Sequence, residues 1–137
     1  MAKYVYGTQQ TAISATSVTN TTNTDSSASV DNGTPGNVDY HYVVSAVPAA
    51  TPSGNKQLRV YIRTNGLSDT TPVNMQEVDG SPFDLSGTAS GGTFTGIGFS
   101  VFGSLGFVPE IHSIRVLNDS GVTLTSLTLT YKPVQFQ

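Results

Sequence analysis

The sequence predicts an all-β protein: a single antiparallel β-sandwich of jelly-roll or Greek-key type, carrying an extended polar N-terminal arm. Three observations point there. Apolar and polar residues alternate through Asn37–Val47, Lys56–Thr64 and Ile111–Tyr131, the period of a half-buried strand. Clusters of Gly, Pro, Asn and Asp separate such runs at roughly 8–15-residue intervals. No window carries the 3.6-residue apolar period of an amphipathic helix. The 137 residues suit one domain, and at 36% hydrophobic content they can fill a modest core. The chain divides into a Ser/Thr/Asn-rich arm or edge strand over 1–36 and a sandwich core over 37–137.

In order, Tyr4 and Tyr6 alternate with Val5 in a short apolar piece. Ser, Thr and Asn then fill more than half of residues 8–30. Ile13 and Ala15 alternate with hydroxyls there, and Thr favours β structure. The segment therefore reads as one long edge strand around 11–22, extended far enough to reach a neighbouring subunit. On that reading, removing residues 1–25 would abolish attachment and leave the sandwich folded. Asp31–Gly36 is a turn signal.

Asn37–Val47 places Val38, Tyr40, Tyr42, Val44 and Ala46 on one face, with Asp39, His41, Val43 and Ser45 on the other. Lys56–Thr64 alternates most cleanly, Leu58, Val60 and Ile62 inward and Arg59, Tyr61 and Arg63 outward. A loop over Asn65–Pro72, a strand over Val73–Val78, a turn at Asp79-Gly80 and a short strand at Phe83–Leu85 follow. Thr93–Gly103 reads as a glycine-interrupted strand, with Phe102 and Phe107 completing the aromatic heart of the core. Last comes a hairpin, Ile111 to Tyr131, turning at Asn118-Asp119-Ser120-Gly121. Its apolar phase shifts at Ser126, as a β-bulge would cause.

Charged residues make up 11% of the chain, against about a quarter in ordinary soluble domains. Lys and Arg are absent between Lys3 and Lys56 and between Arg63 and Arg115, so the basic footprint of a nucleic-acid binder is missing. There is no cysteine, hence no disulfide or thiolate metal site. MAKYVYG lacks the apolar core of a signal peptide, and no run approaches the ~20 apolar residues of a membrane span. Synthesis and folding in a cytoplasm, with no membrane partner, are the expectation.

Chemistry is hard to find. His41 and His112 lie on separate strands and read as surface or satisfied core groups. Asp69, Glu77, Asp79 and Asp84 lie in or near loops with nothing to fix a catalytic separation. Asp25, Asp31 and Asn32 lack the spacing of a calcium loop. Neither a phosphate-cradling glycine motif nor a nucleophile elbow is present. No catalytic residue, metal or cofactor is assigned. One cluster is a candidate: Arg59, Tyr61 and Arg63 project from one strand face, and Arg and Tyr are frequent binding hot spots. They form either a solvated face or a contact to an acidic partner surface.

The segments LRVYIRTNG, PVNMQEVDG and IHSIRVLNDSGVTLTSLTLTYKPV, within residues 38–134, resemble those of small Thr/Gly-rich β proteins of tailed-bacteriophage virions. In size and single-sandwich form the chain is most similar to capsid decoration (cement) proteins. The resemblance implies a non-enzymatic protein on the capsid exterior, made in the bacterial host cytoplasm. It also implies partners: the major capsid protein, whose adjacent subunits are bridged, and two further copies in a homotrimer. The alternatives are a carbohydrate-binding sandwich, with Tyr40, Tyr42 or Tyr61 stacking on sugars, or a phage tail component.

Overall fold

The computed structural model describes residues 3–26, 28–32, 37–64, 74–95 and 98–137, and over these the chain forms two facing antiparallel sheets. The first, sheet A, contains β1 (Tyr4–Tyr6), β2 (Gln10–Val18), β5 (Asn37–Pro48), β9 (Phe94–Thr95), β10 (Phe99–Ser100) and β12 (Leu124–Phe136). The second, sheet B, contains β3 (Asn23–Asp25), β4 (Val30–Asp31), β6 (Gln57–Thr64), β7 (Asn74–Glu77), β8 (Phe83–Asp84) and β11 (Ile111–Asp119). Strand β12 is the spine of sheet A: β5 flanks one side, and β1 and β2 share the other. In sheet B, β11 holds β6 on one side and β3 and β4 on the other.

The alternation read from sequence is the alternation of burial. Tyr40, Tyr42, Val44 and Ala46 of β5 face Leu58, Val60 and Ile62 of β6, Ile114 and Val116 of β11, and Leu124, Leu127 and Leu129 of β12 across one core. The phase shift at Ser126 is a register break: Leu124 pairs with Pro48, but Ser126 pairs with Val47. The extra residue lets Leu124 and Leu127, three apart, both point inward.

The presumed hairpin at 111–131 is instead an arch. Strand β11 lies in sheet B and β12 in sheet A, so the 118–123 turn carries the chain across the sandwich. Buried Asn118 holds it: its amide nitrogen donates to the Val18 and Val122 carbonyls, each at 2.9 Å, and its oxygen accepts from Ser120 N–H at 3.0 Å. Gly121 has φ +84, and a Cβ there would fall 2.2 Å from the Ser53 carbonyl oxygen. A plain two-strand turn offers no such buried partners, so β11 and β12 separate and pair with β6 and β5.

The N-terminal segment is laid along both sheets. After β2 the chain crosses from sheet A to β3 in sheet B, ending the strand at Val18 rather than at 22. Ala12, Ile13 and Val18 are buried in the common core. Removing residues 1–25 would therefore strip core surface along with the segment. Gly33–Gly36 of the turn signal and the 65–72 loop lie outside the described residues.

The expected strand 93–103 breaks up. After β10 the chain turns into a short helix, α1 (Val101–Leu105). The Ser100 hydroxyl caps it by accepting from Gly103 N–H, and Gly106 closes it at φ 82. Phe99 and Val101 are buried, but Phe102 and Phe107 are not part of the core; both are more than half exposed. One turn of helix points Phe102 outward where a continued strand would have alternated it.

Candidate functional site

The face expected to carry a contact, the outer side of sheet B, has its charge already neutralised. Arg63 Nη1 lies 2.8 Å from Asp25 Oδ2, and Arg115 Nε lies 2.8 Å from Asp25 Oδ1. Arg59 pairs with Glu77 at 3.3 Å and approaches Asp119 at 4.0 Å. Tyr61 stands between Arg115 and Glu77 in register. The two guanidiniums hold the Asp25 carboxyl below its usual range, led by the Arg115 hydrogen bond, and Asp25 raises Arg115 in turn. The structure thus brings Arg59, Tyr61 and Arg63 together on one face and sets three carboxylates among three arginines. Arg63 is nearly buried.

The outer side of sheet A is different. Cross-strand partners in an antiparallel sheet share a face. Tyr6 pairs with Val134 and Val134 with Asp39, Lys132 with His41, and His41 with Ser100, so these side chains form one surface. Onto it come the rings of Tyr4, Tyr6, Phe102 and Phe136, which are 68%, 60%, 54% and 54% exposed. Tyr4 and Phe136 lie ring to ring with centroids 5.2 Å apart. Together these rings expose roughly 500 Å², at the upper end of the apolar patches found on soluble monomers.

A hydrogen-bonded chain organises this face. Asp39 Oδ1 accepts from Tyr40 N–H at 2.7 Å and Phe102 N–H at 2.8 Å, so it fixes the helix that projects Phe102. Asp39 Oδ2 accepts from the Ser100 hydroxyl and meets His41 Nε2 at 3.0 Å. The other ring nitrogen, Nδ1, meets the Tyr6 hydroxyl at 2.9 Å. With Nε2 carrying the proton, His41 donates to Asp39 and accepts from Tyr6. Serine, aspartate and histidine are in series, but Ser100 faces the carboxylate and both nitrogens of His41 are engaged. The imidazole does not meet the hydroxyl, so this is not the serine–histidine arrangement of an activated nucleophile; through these bonds the array positions α1 and Tyr6.

Two shallow depressions flank Tyr6 and His41. One, about 440 Å³, is walled by Tyr4, Tyr6, Val38, Phe102 and Val134. The other, about 430 Å³, is lined by Val43, Tyr131, Gln9, Thr130 and Lys132 among others.

The remaining sequence candidates go elsewhere. His112 is fully buried, its Nε2 2.7 Å from the Tyr42 hydroxyl and its Nδ1 without a hydrogen-bond partner among the described residues. Burial lowers its pKa to about 4, against a weaker upward pull from Asp39. Tyr40 and Tyr42 are core residues and have no face to offer a sugar; burial raises both phenols, Tyr42 strongly. Asp25 is taken by the arginines, and Asn32 accepts from the Tyr40 hydroxyl at 2.8 Å. Among the described residues no group of three or more His, Asp or Glu side chains is placed to hold a metal. Asp69 lies outside them. Sequence reasoning missed the sheet A surface, although the alternation of Tyr4 and Tyr6 about Val5 was its one visible sign.

No protein-family model matches the chain, and no curated protein matches it. Among solved structures, the chain is similar over 82% of its length to 28% of the ANX1 ectodomain from Arabidopsis thaliana, at 16% identity and a TM-score of 0.40. Over 99% of its length it is similar to 36% of the VP2 chain of an infectious bursal disease virus subviral particle, at 13% identity and a TM-score of 0.41. FLHE is matched over 93% of its own chain, at 14% identity and a TM-score of 0.34. The chain spans about a third of the length of the first two. Likenesses of this degree leave the question of function to the chain's own surface.

Proposed function

We propose that this chain is a non-enzymatic structural protein of a bacteriophage virion, decorating or cementing the capsid exterior by bridging adjacent major capsid protein subunits, itself assembled as a homotrimer. The observation that carries the reading is the outer face of sheet A. Four aromatic rings, those of Tyr4, Tyr6, Phe102 and Phe136, are more than half exposed together on one surface of a weakly charged chain. Apolar rings gathered on one face mark a contact with another macromolecule. The low charge around them makes that face cheap to desolvate. Many copies on a symmetric shell would turn a modest contact into avid attachment.

The test is location. Virions of the encoding phage are separated into heads and tails, and each fraction is probed for this chain. The reading expects it in the heads, in many copies and at a fixed ratio to the shell subunit. Recovery with the tails, or in neither fraction, overturns it.

A further inference from the structure

The outer face of sheet A offers an occupant two chemistries side by side. In the depression walled by Tyr4, Tyr6, Val38, Phe102 and Val134, the side-chain polar groups of Asp39, His41 and Tyr6 are already engaged within the chain. Asp39 meets four partners through its two oxygens, His41 uses both nitrogens, and the Tyr6 hydroxyl is bound to His41. What remains for a visitor is mostly apolar surface, with the Tyr4 hydroxyl at its edge.

The adjoining depression, lined by Tyr6, Val43, Phe99 and Tyr131 among others, is also largely apolar, but it carries unbonded polar side chains at its rim. Among the described residues, the side chains of Gln9, Thr130 and Lys132 make no hydrogen bond or ion pair. Lys132 is thus a cation without a counter-charge, beside a carboxylate, Asp39, that is turned to other donors. A partner covering Lys132 without supplying an anion would bury an unpaired charge, which is costly.

Spacing joins the two. Lys132 and Val134 alternate along β12 on the same face, about 6–7 Å apart at ~3.3 Å per residue. Alternate residues of any extended segment repeat at that same distance. We infer that this face takes an extended segment of a partner protein in which a large apolar residue and an acidic residue alternate, apolar–x–Asp or apolar–x–Glu. The apolar side chain lies over Val134 between Tyr6 and Phe102, and the carboxylate lies over Lys132. This rests on the proposed assembly role and gives the chemistry of the partner at that face.

The full chain, isotope-labelled for amide NMR, is titrated with the capped peptide Gly-Phe-Gly-Asp-Gly. Controls replace Asp by Asn or Phe by Ala, and lactose serves as a neutral sugar. The expected result is binding on the order of millimolar, with shifts centred on Tyr6, Phe102, Lys132 and Val134. Either control peptide should bind at least ~5-fold more weakly. Lys132→Gln, an exposed change, should weaken the Asp peptide by that factor and leave the Asn peptide unchanged. The inference is overturned by equal binding of the Asp and Asn peptides or by equal loss of both in Lys132→Gln. It is equally overturned by lactose reproducing the shifts, by shifts on the Arg59 face, or by no binding. If the chain is missing from heads but the peptides discriminate, the assembly role fails and this pairing chemistry stands. If it is in heads but the peptides do not discriminate, the pairing chemistry alone falls.

Discussion

Mild acid should destabilise the fold through His112. The imidazole is fully buried, packed edge-on to Tyr42 and tilted against Tyr40, with centroids 5.8 and 5.1 Å away. The groups facing it are the two phenols and, farther off, the Asp39 carboxylate, whose upward pull is smaller than the effect of burial. Its pKa falls from 6.5 to about 4 in the fold. The unfolded chain therefore binds a proton that the native chain refuses, and stability must fall as the pH drops. Stability from this group is fully present above about 6.5 and is lost progressively towards pH 4. At ~1.4 kcal/mol per pKa unit the whole window is worth about 3 kcal/mol, of which about 2 is gone by pH 5. Urea unfolding at several pH values between 7 and 4.5 measures it, with His112→Phe as the comparison. The variant leaves the Tyr42 hydroxyl without its partner, so about 1–3 kcal/mol is lost at every pH, but its profile across this window should be flatter than the parent's by the amount stated. A parent protein equally stable at both ends, or a variant with an undiminished slope, would refute the burial argument. Asp25, held below its ordinary range, loses its contribution only in more acid solution and does not confuse the comparison.

Other expectations follow from the arch, the ion pairs and the first strands. Asn118→Leu strips the arch of its buried bonds to Val18, Ser120 and Val122 and should cost about 2–4 kcal/mol by chemical denaturation. Gly121→Ala forces a side chain into left-handed backbone and onto the Ser53 carbonyl; the backbone cost alone is about 1–2 kcal/mol, and loss of soluble protein is expected. Asp25→Ala leaves the nearly buried Arg63 without its anion and should lower stability by about 1–3 kcal/mol in the same assay, whereas Glu77→Ala on the more exposed Arg59 pair should cost under about 1 kcal/mol. Deleting residues 1–25 removes buried Ala12, Ile13 and Val18 and should abolish cooperative unfolding, since burying one large aliphatic side chain alone contributes roughly 1.5–3 kcal/mol to a small total.

Much of the sandwich was legible because local pattern and burial coincide. Leu58, Val60 and Ile62 alternate in sequence and point inward in β6, and the slip at Ser126 showed as two leucines three residues apart. The parts that were not legible depend on partners distant in the chain. Tyr4–Tyr6 joins Val134–Phe136 across nearly the whole sequence, and no local signal marks such a pairing. The helix Val101–Leu105 is too short to show a period, and its start is set by Ser100 and the carboxylate of Asp39. Phe102 therefore looked like core and proved to be surface. The arginine strand misled for the same reason. Arg59, Tyr61 and Arg63 do share a face, but the carboxylates that quiet them come from Asp25 and Glu77, on strands paired only in three dimensions. The exposed rings of sheet A came together from three separate segments, β1, α1 and the end of β12.

Hydroxyl-radical footprinting, read by mass spectrometry on the free chain and on heads carrying it, tests the assignment of the contact face most directly. Tyr4, Tyr6, Phe102 and Phe136 are exposed on sheet A, and Met75, half exposed on sheet B, is a built-in reference. The four rings should lose most of their oxidation on heads while Met75 and Tyr61 keep theirs. Rings oxidised as fully on heads as in solution, with protection at Tyr61 and Met75 instead, would place the contact on the opposite sheet and contradict the account.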